Sequence, residues 1–126
     1  MKRLIISVLL MTGCVIGAVS QTSFISGATT RYLDAIEVID RDMRRDDFQK
    51  ALDGCSAIDR QWSKSASEID ALLIHDYVDS VGVSIAQMKV HIENGNPDLY
   101  FAESQKAKRA LASIRDSEYP NAENLL

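Results

Sequence analysis

In the segment IHDYVD (residues 74–79) one imidazole and two carboxylates lie within a turn and a half of chain. On a helix, His75 and Asp79 stand at i and i+4 and share a face. That spacing suits a divalent cation or an acid–base pair. His75, Asp76 and Asp79 are therefore the candidate metal ligands. The plainer reading is a surface His–Asp pair beside an apolar seam, because no second ligand motif such as HExxH accompanies it. The expectation is no metal and no cofactor.

The other reactive side chains read as structure. Trp62 is the single tryptophan and falls on an apolar stripe, as a core anchor does. Cys55 shares that stripe. No cation or histidine neighbours it on its face, so a buried neutral thiol is expected. The run RDMRRDD (residues 41–47) mixes signs, as a solvated helix end does. Lys106, Lys108 and Arg109 form a small basic set among acids. The chain has no GxGxxG, P-loop, GxSxG or sequential Ser-His-Asp signature. No catalytic residue is assigned and no enzyme is expected.

Four stretches of helical periodicity must position these residues. The first carries Tyr32, Ile36, Ile39 and Met43. The second carries Phe48, Ala51, Cys55, Ile58 and Trp62. The third carries Ile74, Val78, Val81, Ile85, Met88 and Ile92, extended backwards by Ile69, Leu72 and Leu73. The fourth carries Tyr100, Ala107, Leu111 and Ile114. Asp46 or Asp47 is placed to cap the second helix. Ser63–Ser67 loses the pattern and is read as the end or a bend of that helix, with Ser67 and Asp70 as a capping box. Gly95, Asn96 and Pro97 mark a stop and a restart: left-handed C′ residue, N-cap, first helical position. The stretches RRDDF and NGNPDLYF resemble each other loosely, each a polar turn between an apolar and an Ala-rich helix. The two units are too few for a solenoid, so an antiparallel bundle of two hairpins is preferred.

Composition narrows the class further. Hydrophobic residues make up 46% and charged residues 25% of 126, with 2 prolines and 6 glycines, as expected of a folded helical chain. Apart from Lys2 and Arg3, the chain has 12 Lys and Arg against 18 Asp and Glu, a balance of −6. An acidic body disfavours nucleic acid as a partner. With one cysteine in the apolar N-terminal stretch and the other far from it, no disulfide framework or CxxC motif is available.

From Leu4 to Thr30 there is no charge. A helix over Leu4–Ile25 would be about 33 Å long, enough to cross a hydrocarbon core. Lys2 and Arg3 would stay in the cytoplasm, leaving the C-terminal part outside. Two processed forms compete with this uncut anchor. In MTGC, Gly13 precedes Cys14 as in a lipoprotein signal, which would acylate Cys14. Ala18-Val19-Ser20 reads as a signal-peptide cleavage site before Gln21. The apolar residues after Cys14 favour the uncut helix, and all three readings put the body on the same side of the membrane.

Taken in order, these features resemble a bacterial family known as domain of unknown function 4363. The resemblance rests on MKRLIIS opening an apolar span, DDF at a helix start, Trp62 fourteen residues after Phe48, then HDYVD, an Ile-bearing stripe into a polar turn, and a closing ENLL. In that family the residue at Tyr77 is commonly Glu and the aromatic at Phe48 commonly Trp. The Tyr77 departure removes one ligand from any metal site built on this segment. The resemblance implies a single-span, mostly helical, extracytoplasmic protein with no established activity. Genes of the family often stand beside those of a small multi-span membrane protein, which implies a shared envelope role. Family members usually carry an apolar span without a lipobox cysteine, which also favours the uncut anchor.

The resulting expectation is an all-α protein: an N-terminal membrane helix followed by a small antiparallel bundle of about four helices in two hairpins. The anchor covers residues 1–25, the extracytoplasmic bundle 26–118 and a tail 119–126. The location is the bacterial cytoplasmic membrane, single-pass, N-terminus inside. The partners are the membrane itself and a membrane or envelope protein, for which the bundle is an interaction module. The alternative is a ligand- or metal-sensing bundle using His75, Asp76 and Asp79.

Overall fold

The computed structural model describes residues 1–70 and 75–117, with the side chains of 21–23, 25, 68–70, 75 and 117 left aside. The expected tail (119–126) and the apolar positions Ile69, Leu72, Leu73 and Ile74 therefore fall outside what can be described. Among the described residues all regular structure is helical: α1 (Lys2–Arg44), α2 (Phe48–Asp70), α3 (His75–Glu93) and α4 (Pro97–Ser117).

The uncharged N-terminal stretch and the first amphipathic stripe form one unbroken helix. At 43 residues, α1 is about 65 Å long. Lys2–Ser20 is long and apolar enough to cross a membrane, and none of it is buried. Burial begins at Ala28 and Thr29, and from Tyr32 the apolar stripe enters the core. The helix is continuous across residue 25 because neither Gly27 nor any proline interrupts it.

Each helix packs on two others, in the cyclic order α1, α2, α3, α4 and back to α1. The core lies at the centre: Ile36, Ile39, Ala51, Cys55, Val81, Ile85, Met88, Tyr100 and Leu111 are all but sealed from solvent. Each buried Ile, Leu or Met stabilises the fold by about 1.5–3 kcal/mol. Two details differ from the pattern reading. Phe48 is 41% exposed, because the first inward-facing position of α2 is Ala51. Ser63–Ser67 stays helical, and Ser67 is not an N-cap. The Ser63 hydroxyl donates to the Asp59 carbonyl at 2.9 Å and the Ser67 hydroxyl to the Lys64 carbonyl at 3.5 Å. Mid-helix hydroxyls can donate back to a carbonyl of the preceding turn, as these two do, without ending the helix.

The two turns have the same construction. Asp46 (φ +58°) and Gly95 (φ +65°) are left-handed. Asp46 N donates to Met43 O and Asp47 N to Asp42 O. Gly95 N donates to Ile92 O and Asn96 N to His91 O. These are paired Schellman bonds that satisfy the last carbonyls of α1 and α3. The next residue then caps the following helix. Asp47 Oδ1 accepts from Lys50 N at 3.4 Å, and Asn96 Oδ1 accepts from Leu99 N at 3.3 Å.

The likeness extends through the helices. Gly95 follows Asp46 by 49 residues, and the buried positions repeat with the same offset. Tyr32, Ile36, Ile39 and Met43 of α1 correspond to Val81, Ile85, Met88 and Ile92 of α3. Ala51, Cys55, Ile58 and Trp62 of α2 correspond to Tyr100, Ser104, Ala107 and Leu111 of α4. All sixteen are buried, so α1–α2 and α3–α4 repeat one register of burial around one core.

Candidate functional site

The least expected polar group lies in the α4/α1 seam. Asp40 adjoins the α1 stripe, between Ile36 and Met43, and is 1% exposed. Tyr100, Ser104 and Lys108 stand at i, i+4 and i+8 on α4, one above another on the face that meets it. Asp40 Oδ1 accepts from the Tyr100 hydroxyl at 2.8 Å and from the Ser104 hydroxyl at 2.7 Å. Its Oδ2 accepts from Lys108 Nζ at 2.8 Å, and the same ammonium reaches Glu37 Oε1 at 3.0 Å. Both carboxylate oxygens are satisfied, as a buried charge requires. Arg44 lies over the Phe101 ring at 5.6 Å and joins the same two helices further along.

Burial, and then the hydrogen bond and charge of Asp40, push the Tyr100 phenol well above its ordinary range. Partial burial pulls the Lys108 ammonium down, but its bonds to Asp40 and Glu37 outweigh that and raise it. The Tyr100 and Lys108 protons are thus held tightly. None of Asp40, Tyr100, Ser104 and Lys108 lines either of the two grooves described below. The cluster fastens α4 to α1. Sequence reasoning missed Asp40 and Ser104 and placed Lys108 in a surface basic set. The available signal was the i, i+4, i+8 spacing of three hydrogen-bond donors on α4.

The equivalent α2/α3 seam is built differently. Cys55 is fully buried, and its thiol lies 3.6 Å from the Ile85 carbonyl. Burial, with Asp59 adding to it, pushes the thiol up to about 12. It is a neutral packing group with no nucleophilic character at neutral pH. Trp62 Nε1 donates to the Val78 carbonyl at 3.3 Å, and its ring meets Tyr32 edge-on at 5.0 Å. Gly82 makes room for the indole: a Cβ there would stand 3.3 Å from Nε1.

Two open grooves flank the bundle. One, about 740 Å³, runs between α3 and α4 past Tyr77, Asp79, Val83, Glu103, Lys106 and Arg109. The other, about 350 Å³, lies between α1 and α2 beside the apolar end of α1. Of the segment IHDYVD, Asp79 lines the larger groove and Asp76 is exposed outside its lining. His75 is the first residue of α3, and its side chain lies outside the described residues. Among the described residues no group of three His, Cys, Asp or Glu is placed to hold a metal ion. Cys14 is exposed on the apolar helix and forms no disulfide.

A helical bundle continuous with a fully exposed apolar helix defines the class of protein. Residues 19–125 match the model of the family described as domain of unknown function (DUF4363), and the chain belongs to that family. No curated protein and no solved structure matches it.

Proposed function

We propose that this chain is a membrane-anchored helical module that holds its bundle outside the cytoplasmic membrane to dock on an envelope partner. The observation that supports the reading most is the state of Lys2–Ser20: apolar, long enough to span and wholly exposed. Leu4, Leu9, Leu10 and Met11 are each more than 60% exposed, a surface that water does not tolerate but lipid does. Lys2 and Arg3 flank the span on its N-terminal side, which by the positive-inside rule supports a bundle outside. Short turns after α1 and α3 fit an antiparallel, up-and-down arrangement of two hairpins. The docking face in this reading is the α3/α4 groove, where Tyr77 (40%) and Val83 (61%) are exposed between charges. The protein is assigned no catalytic role.

Photo-crosslinkers at Val83 and at Val38, on opposite hairpins, test this in intact membranes. A discrete membrane-protein adduct from Val83 and none from Val38 is the expected result. A bundle that gives no adduct from either position contradicts the docking role.

A second reading, the metal or ligand sensor, draws on one observation: Asp79 lines the larger groove. Calorimetric titration with zinc and manganese, compared with His75→Ala, decides it. Binding that the substitution abolishes supports a sensor; no heat, or equal heat in both proteins, removes it.

A further inference from the structure

The smaller groove stands where the apolar helix meets the bundle. Phe24, Ala28, Arg31 and Tyr32 of α1 form one wall, and Gln61, Lys64 and Ser65 of α2 the other. Among the described residues of its lining, Arg31 and Lys64 are the charged ones, and both are positive. Arg31 is also the first charge in the chain after Arg3. Neither side chain has an ion-pair partner among the described residues. The groove between α3 and α4 differs: there Asp79 and Glu103 face Lys106 and Arg109, and Glu103 pairs with Lys106 at 2.8 Å. In a body of net charge −6 beyond Arg3, the described lining of the α1/α2 groove carries two positive charges.

We propose that this groove binds the phosphate-bearing headgroup of an anionic phospholipid, with Arg31 and Lys64 as the ligands of the phosphate. This rests on the membrane-anchored reading and adds to it a specific lipid contact. Because α1 is one continuous helix, depth follows from the rise per residue. With the apolar stretch ending near Ile25, Arg31 stands about 9 Å further along the axis, close to the headgroup layer and within reach of a snorkelling arginine. Phe24, one residue before Ile25, is 55% exposed at the edge of the apolar stretch, where aromatic side chains settle in the interface. Soluble phosphate would meet the same cations, but the apolar wall of Phe24 and Ala28 next to the span favours a headgroup that carries acyl chains.

The test uses the full chain reconstituted in phosphatidylcholine–phosphatidylglycerol vesicles, first washed with carbonate to establish integration. The protein is then extracted in mild detergent and its bound lipid counted by native mass spectrometry. The wild type is expected to retain phosphatidylglycerol over phosphatidylcholine. The double variant Arg31→Gln, Lys64→Gln should lose that preference by about tenfold or more, since each cation near an anionic surface contributes measurably. Ala28→Leu, which fills the groove and keeps both charges, should lose it too. Lys106→Gln with Arg109→Gln should not. Equal retention by the wild type and the first variant in integrated protein overturns the proposal and leaves the anchor intact. So does displacement of the lipid by inorganic phosphate, which would make free phosphate the ligand. Protein that washes off in carbonate overturns the anchor, and the lipid site with it.

Discussion

The α4/α1 and α2/α3 seams occupy equivalent places in the 49-residue register but cohere by different means. Asp40 and Lys108 of the first correspond to Lys89 and Asp59 of the second, so the acid and the base have exchanged helices. In the first seam the carboxylate is 1% exposed and bonded by three donors. In the second, Asp59 and Lys89 are only half-buried, and no ion pair joins them. The neighbours explain the difference. Tyr100 and Ser104 supply hydroxyls to a buried carboxylate. Their counterparts Ala51 and Cys55 offer a methyl group and a thiol, and the thiol faces the Ile85 carbonyl. A charge enters the core only where the opposite helix brings enough donors to replace water. The second seam uses an apolar wall instead, with Trp62 fitted over Gly82.

The difference between the seams predicts its largest effect at Asp40. Asp40→Ala removes one partner of a buried pair and leaves the Tyr100 and Ser104 hydroxyls unsatisfied. Thermal and chemical denaturation in detergent should show a loss of about 3–5 kcal/mol. Lys89→Ala, at the equivalent position, should cost no more than about 1 kcal/mol. Losses of equal size would remove the distinction between the seams.

Alkaline pH sharpens the same contrast. The folded state holds the protons of Tyr100 and Lys108 above their ordinary values, and that of Cys55 up to about 12 from 9.0. The unfolded chain releases these protons sooner, so it binds fewer of them as the medium turns alkaline. Stability is therefore complete below about pH 9, where thiols begin to titrate, and falls progressively above it. Asp40→Ala should lessen the part of this decline that belongs to Tyr100 and Lys108, incompletely because burial of Tyr100 and the Glu37 bond to Lys108 remain, and leave the Cys55 part. A decline identical in both proteins would separate Asp40 from those two groups.

The turns give the smallest effects, with opposite signs at equivalent positions. Gly95→Ala places a Cβ in the left-handed region and should destabilise by about 1 kcal/mol. Asp46→Gly relieves the same strain in the first turn and should stabilise by a few tenths to about 1 kcal/mol. Melting curves of the two single variants measure both, and shifts of the same sign would contradict the shared turn geometry.

Local features were readable from the chain. The stripe Tyr32, Ile36, Ile39 and Met43 and the stop at Gly95 each depend on residues within a few turns, and the structure realises them as read. Ser63–Ser67 was misread because hydroxyls that cap a helix can equally bond back into one, and the choice depends on the packing of Tyr32 and Trp62 beside them. The Asp40 cluster was not legible because its partners come from a helix 60 and more residues away. An aspartate beside an apolar stripe carries no mark of the hydroxyls it will meet. The equivalence of the two seams became visible only when burial was aligned at a fixed offset, since few residue types are conserved between the hairpins.

The contact of α1 with the membrane underlies both the anchor and the lipid site. Intact mass spectrometry of the protein extracted from its native membrane tests that in one step. An uncut anchor predicts a mass that includes residues 1–20, with Cys14 unmodified. A chain starting at Gln21, or one acylated at Cys14, would contradict a continuous helix that carries the bundle from within the bilayer.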